Sequence, residues 1–478
     1  MPCRWAILVS IAFQASAVAN EPPSPKSPVP SLLRMERVVI DADFPGGYQV
    51  EVADVDGDKK PDIVALGGST LAWYQNPTWK KRVISTAKQT PDIISSATAD
   101  LDGDGKAEIA VAYDFSMNEP KRGKLLLAIQ GATVDEPWTF RPVMIGTPAK
   151  RLPQGGGFAG GGGGVGGAGT GGGFGGGGGI ARGANGMPEW PLDWAPADVP
   201  SIHRLRWGWV FGQPELRKDE KGMPVASWSK KLELVVAPIF GPSATPPSFV
   251  QDPAHISLFR TGKDPLDGRW FRDSIGEAPV LHAIDVVNLS GKEGHSVILG
   301  ASNRGVTVTA CGSITSGALY SRTLDQTPGA PGISPKKGAS EVHLGRFKDG
   351  RGFIATVEPW HGTDVAIYVA ENLKSYFLDP QLKLGPRNVI DATLKEGHAL
   401  WVADVDGDGD DEVFAGDRGG PGGVLMYDFD GKAWNRSVLD PAVTAQDLRG
   451  GDIDGDGRPD VVAIGGKSHN VVWYRPIR

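Results

Sequence analysis

The sequence predicts an all-β chain, a seven-bladed β-propeller closed by an N-terminal strand in its last blade. Three observations predict it. A strand–loop–strand unit recurs along the chain. Four copies carry the same Asp-rich loop, and the last copy lacks an outer strand that an early segment can supply.

The four closest copies are VADVDGDKKPDIV (52–64), TADLDGDGKAEIA (98–110), VADVDGDGDDEVF (402–414) and GGDIDGDGRPDVV (450–462). In each, an alternating run precedes the loop and a β-branched run follows it, the pattern of strand, turn, strand. Setting the register by the second strand exposes divergent copies at 288–300, at 347–358 and across 203–210 with 232–240, the last with a longer turn. A later element, an aromatic followed by a basic residue, recurs as Trp79-Lys-Lys-Arg-Val-Ile84, Trp270-Phe-Arg272, Tyr320-Ser-Arg322 and Trp434-Asn-Arg436 and predicts the outer strand. The seventh unit stops at Trp473-Tyr474-Arg475, and Met35-Glu-Arg-Val-Val-Ile40 supplies what it lacks. A ring closed in this way has no free sheet edge.

Residues 1–19 read as a cleaved signal peptide: a basic start, the apolar run Trp5–Phe13, then Ala17-Val18-Ala19. The mature chain is therefore expected outside the cytoplasm, periplasmic or extracellular, with no transmembrane segment. Residues 20–33 are a Pro-rich tether, 34–478 the propeller, and about 152–190 a Gly-rich insertion expected to be disordered. Cys3 leaves with the signal, so Cys311 has no partner for a disulfide. A net charge of −7 without a basic stripe argues against nucleic acid.

The loops place carboxylates at positions 1, 3, 5 and 9: Asp54, Asp56, Asp58 and Asp62; Asp100, Asp102, Asp104 and Glu108; Asp404, Asp406, Asp408 and Glu412; Asp452, Asp454, Asp456 and Asp460. Hard oxygens at this density suit Ca²⁺, and about four structural calcium ions are expected. The competing reading is a plain polar turn, which would leave close acids to repel one another. Loops and strands together resemble the FG-GAP/VCBS repeats of integrin α-subunit propellers and many secreted bacterial proteins. The resemblance implies a propeller with calcium loops and no single function.

The slot six residues before the first loop Asp begins the innermost strand. In the seven units it reads Tyr48, Ile94, His203, His282, Glu341, His398 and Gln446. Three of the eight histidines share it. Six strand residues span about 20 Å, so the slot lies at the channel mouth opposite the Asp loops. The turn after the second strand of unit five returns to that mouth with Glu358-Pro-Trp-His361-Gly362. Neutral imidazoles from separate blades suit zinc or another divalent transition metal, so His203, His282 and His398 are the predicted metal ligands. His361 or Glu358 is the predicted catalytic base, and Tyr48 and Trp360 are the predicted sugar-stacking groups. The competing reading is that each His only bonds the neighbouring blade. These segments also resemble the propeller half of fungal aldos-2-ulose dehydratases, which implies carbohydrate as partner and a metal-dependent carbon–oxygen lyase acting on a keto-sugar. A non-catalytic glycan- or protein-binding module of the cell envelope is the alternative.

Overall fold

The computed structural model describes residues 33–477 apart from 149–191, 211–212, 219–223, 230, 289–295, 312–318, 324–326 and 372–383. The expected signal segment, the Pro-rich tether as far as residue 32 and the Gly-rich insertion lie outside the described residues. Arg34–Arg478 forms one compact unit.

Among the described residues seven blade sheets follow one another along the chain, antiparallel apart from one parallel pair in blade 3, Met144–Pro148 with Arg269–Ala278. Their innermost strands are Gly47–Ala53, Ser95–Ala99, Ile202–Gly208, Leu281–Asn288, Glu341–Arg346, Gly397–Ala403 and Ala445–Gly451, in blades 1 to 7. Each touches the innermost strands of both neighbours, including the first against the last, so the ring is closed. In blade 7 the fourth strand is Met35–Asp41, antiparallel to Val471–Pro476. Blade 3 is the irregular one. Met144–Pro148 and Leu192–Pro196, the segments flanking the Gly-rich insertion, extend it to six strands, and a separate hairpin, Gln213–Lys218 with Pro224–Ser229, fills its long turn.

The second strands explain themselves by burial. Asp62–Gly67, Glu412–Asp417 and Asp460–Gly465 are buried at every position. Both faces of such a strand meet adjacent blades, so its sequence runs apolar without alternation. The core accordingly lies between blades. Val50, Ile63, Ala65 and Ala72 of blade 1 pack with Val462, Ile464, Val471 and Trp473 of blade 7.

A clasp between neighbouring blades recurs at the periphery. Asp440 ends the outer strand of blade 6 and accepts from Tyr474 Oη at 2.8 Å and Arg37 Nε at 2.6 Å, both in blade 7. Asp391 of blade 5 accepts from Tyr427 Oη and Arg436 Nε of blade 6, each at 2.7 Å. Asp41 of blade 7 accepts from Tyr74 Oη at 2.5 Å and Lys81 Nζ at 2.7 Å in blade 1. The basic residue of the outer-strand pattern is thus the cation of the clasp. Burial pushes the Asp391 and Asp440 carboxyls up, but these hydrogen bonds outweigh it and hold both below the usual range. Stability from the clasp is therefore present above about pH 4 and lost as pH falls through the lowered carboxyl range. Asp391→Ala leaves the fully buried Tyr427 hydroxyl without an acceptor and should cost about 2 kcal/mol. Equal thermal melts of wild type and variant at pH 7 would show that the clasp contributes nothing.

Candidate metal centre

Five of the seven slots are made by the same backbone device. Strand pairing skips Tyr48, His203, His282, His398 and Gln446, each of which is the extra residue of a β-bulge in its inner strand. A bulge turns its extra side chain off the sheet face, and here that aim is into the channel. Blade 5 has no bulge; Glu341 pairs directly with Val357. Its slot is therefore occupied by Ser340, and Glu341 belongs one step deeper. The sequence register misplaces it because the turn of unit five is one residue short.

The three slot histidines make equivalent contacts. His203 Nδ1 donates to His282 O at 2.8 Å, His282 Nδ1 to Ser340 O at 2.9 Å, and His398 Nδ1 to Gln446 O at 2.7 Å. A carbonyl can only accept, so each ring carries its proton on Nδ1 and leaves the Nε2 lone pair bare. Glu341 Oε1 also lies 3.0 Å from His282 Nδ1 but is not aligned to accept from it. Bonding to the neighbouring blade and convergence are thus not alternatives at His282 and His398, because each of these rings has one nitrogen for each.

The inward nitrogens do not all converge as expected. His282, His361 and His398 offer ligand atoms within 4.8 Å of one another. His361, expected as the base, stands inside this group, its Nε2 3.0 Å from His282 Nε2. His203, expected as a ligand, instead bonds Tyr48 Oη at 2.8 Å through Nε2. Tetrahedral zinc holds its nitrogens about 3.3 Å apart, so the 3.0 Å pair needs only a slight opening. Burial, with the Arg204 and Arg418 cations nearby, holds His203, His282, His361 and His398 below the usual imidazole range. All four are neutral at pH 7, the state that ligates.

Two expected residues lie elsewhere. Glu358 is fully buried within blade 5. Its Oε1 accepts from Thr356 Oγ1 and Tyr368 Oη at 2.8 Å, and its Oε2 from Arg387 Nε at 2.6 Å. Fully buried and hydrogen-bonded through both oxygens, it is out of reach of a substrate at the channel mouth. Trp360 is 8% exposed and packs with Phe240 and Val280, so its ring covers core as well as edging His361 at 5.1 Å. Tyr48 stays at the mouth, edge-on to His398 at 5.6 Å. The sequence reading missed Arg204 and Arg418. Arg204 is buried, stands 5.3 Å over the Tyr48 ring and 3.9 Å from Glu341. Arg418 opens the turn of blade 6 that corresponds to the His361 turn of blade 5, and that correspondence was the available signal.

The four Asp loops share one geometry. The position 1 carboxylates of Asp54, Asp100 and Asp404 accept from the amides of positions 4 and 6, as with Gly57 and Lys59 on Asp54 at 2.8 and 2.9 Å; Asp452 accepts from the position 6 amide of Gly457. Position 4 is glycine with positive φ throughout, between 76° and 82° at Gly57, Gly103, Gly407 and Gly455. Three carboxylates in each loop can approach one ion: Asp54, Asp56 and Asp58; Asp100, Asp102 and Glu108; Asp404, Asp406 and Glu412; Asp452, Asp454 and Asp456. The position 9 carboxylate bonds the position 2 amide in all four, and burial pushes Asp62, Glu108 and Asp460 up to about 7 and Glu412 to about 9. Glu412 Oε1 and Asp452 Oδ1 are buried without a hydrogen-bond partner. Such a donor set fits a hard cation.

No curated protein matches the chain significantly. Among solved structures, BBS1N in complex with ARL6DN aligns with a TM-score of 0.46 at 12% identity, over 93% of this chain and 97% of that one. Sqt1 of Saccharomyces cerevisiae aligns with a TM-score of 0.42 at 12% identity, over 90% and 84%. At these scores the propeller assignment rests on the strand pairings above. The FG-GAP-like repeat profile matches residues 41–111, so the stretch holding the first two Asp loops is similar to that family's repeat.

Proposed function

We propose that this chain is an exported, calcium-stapled propeller that holds one divalent transition metal at its channel mouth and acts there on a carbohydrate, as a carbon–oxygen lyase on a keto-sugar. The observation that carries the reading is the convergence of His282, His361 and His398 within 4.8 Å, with the outer nitrogens of His282 and His398 tied to backbone carbonyls. A hydrogen bond from the outer nitrogen to a carbonyl orients a metal-binding imidazole and fixes its tautomer. Bound there, the ion would supply Lewis acidity toward a substrate carbonyl oxygen. The chain's own residues supply the rest. Tyr48 Oη and His203 Nε2, already sharing a proton at 2.8 Å, form the pair that takes a proton from the carbon beside that carbonyl and returns one to the leaving oxygen. Glu358 has no part in it. The Asp loops hold calcium as staples at the other end of the inner strands.

The test is elemental analysis of the mature protein after weak chelation. His398→Gln should reduce the transition metal from about one to below about 0.1 per chain, with calcium unchanged and the melting temperature within about 3 °C. Retention of the metal by this variant removes the site. Retention by wild type without keto-sugar elimination, followed as absorbance of the enone product, leaves a binding module.

A further inference from the structure

Arg418 reaches across the mouth from blade 6. Its Nη2 lies 2.6 Å from Glu396 Oε1 and 3.0 Å from His361 Nδ1, and its Nη1 lies 3.1 Å from Gln446 Oε1. A guanidinium has only donors. His361 Nδ1 must therefore be bare, and a neutral ring then carries its proton on Nε2. That proton faces His282 Nε2 at 3.0 Å, which is bare because His282 gives its own proton to Ser340 O. The map is consistent at every nitrogen, and it sets His361 apart. His282 and His398 are stored in the tautomer that can ligate through Nε2. His361 is stored in the opposite one.

To ligate through Nε2, a neutral His361 must carry its proton on Nδ1, where it would meet Arg418 donor to donor. We infer that Arg418 is a positioning residue that stores His361 as the Nε2–H tautomer, and that it must leave Nδ1 before His282, His361 and His398 hold one ion together. The inference rests on the metal reading above and assigns the centre a built-in competitor. Glu396, at 39% side-chain exposure, and Gln446 keep acceptors for the guanidinium once it has left His361. The contact therefore acts against ion uptake without being needed to hold Arg418 in place.

Two measurements on the full mature chain test this. In metal-free protein labelled with ¹⁵N-histidine, the His361 ring nitrogens should show the Nε2–H tautomer in wild type and a shift toward Nδ1–H in Arg418→Gln. Zinc titrated against a chromophoric chelator should bind Arg418→Gln at least about tenfold more tightly than wild type. Glu396→Gln, which loosens Arg418 without removing it, should move both readings the same way by less, and serves if Arg418→Gln does not fold. An Nδ1–H tautomer in metal-free wild type overturns the inference. So does equal or weaker zinc binding by the variants, or tighter binding with the tautomer unchanged, which would assign the gain to lost positive charge alone. If neither wild type nor variant takes up zinc, the metal centre itself falls, an outcome distinct from the others.

Discussion

With calcium in the Asp loops as proposed, a chelator should lower the melting temperature of the protein by about 10 °C at pH 8.5, and by much less at pH 5.5. Four sites held at about a hundredfold above their dissociation constants each contribute about 2.7 kcal/mol by ligand linkage. A propeller of this length has an unfolding entropy that turns their loss into about 10 °C. The pH dependence follows from the position 9 carboxylates. Without the ion, burial holds Asp62, Glu108 and Asp460 near 7 and Glu412 near 9, far above an unfolded carboxyl. The folded state then binds more protons than the unfolded one between about pH 4.5 and those values. Its stability is full at the acid end and is lost as pH rises through 7 to 9. The ion-free protein should accordingly melt higher at pH 5.5 than at pH 8.5, and calcium should reverse that order by neutralising the ionised loops. Paired melts with and without chelator at the two pH values decide it. A chelator effect that is absent, or larger at pH 5.5, would count against calcium in these loops.

The parts of the chain that could be read in advance are those in which a local pattern is repeated. The strand–loop–strand units, the outer-strand pattern and the His slot recur at nearly constant spacing, so one alignment locates the copies whose turns keep their length. What escaped involves side chains meeting across blades, or a backbone irregularity. The bulge at Tyr48, His203, His282, His398 and Gln446 leaves no composition signal, and its absence from blade 5 moved Ser340 into the slot assigned to Glu341. Glu358 looked available because its neighbours in sequence include His361. Its actual partners, Tyr368 and Arg387, lie on the next strand and just before the outer strand of blade 5. The exchange of places between His203 and His361 depends on two contacts, Tyr48 on one and His282 on the other, separated by 155 and 79 residues. The clasps of Asp41, Asp391 and Asp440 join a strand end in one blade to two strands of the next, a relation visible only once the ring is built.

Deleting residues 34–41 should be more damaging than any single substitution at the channel mouth. The strand Met35–Asp41 completes blade 7 by pairing with Val471–Pro476, and its Val38 and Ile40 pack against the core shared by blades 7 and 1. It also holds one end of each of two clasps, giving Arg37 to Asp440 of blade 6 and Asp41 to Tyr74 and Lys81 of blade 1. Loss of the partly buried apolar side chains and of the acceptor for the buried Tyr74 hydroxyl should cost about 6–8 kcal/mol together. In a chain of this size that lowers the melting temperature by about 8 °C. The deletion also bares the edge of Val471–Pro476, whose side chains from Val471 to Tyr474 are buried in the intact ring. An unpaired edge of that composition is a template for strand addition, so the truncated protein should self-associate at concentrations where the intact one does not. A synthetic peptide of residues 34–41 added in excess should restore both the melting temperature and the association state of the intact chain, because the partner edge is preformed by blade 7. Recovery by the peptide distinguishes loss of closure from general misfolding. If the truncated chain melts within about 2 °C of wild type, the terminal strand is not what closes the ring energetically, and the contacts between inner strands must suffice.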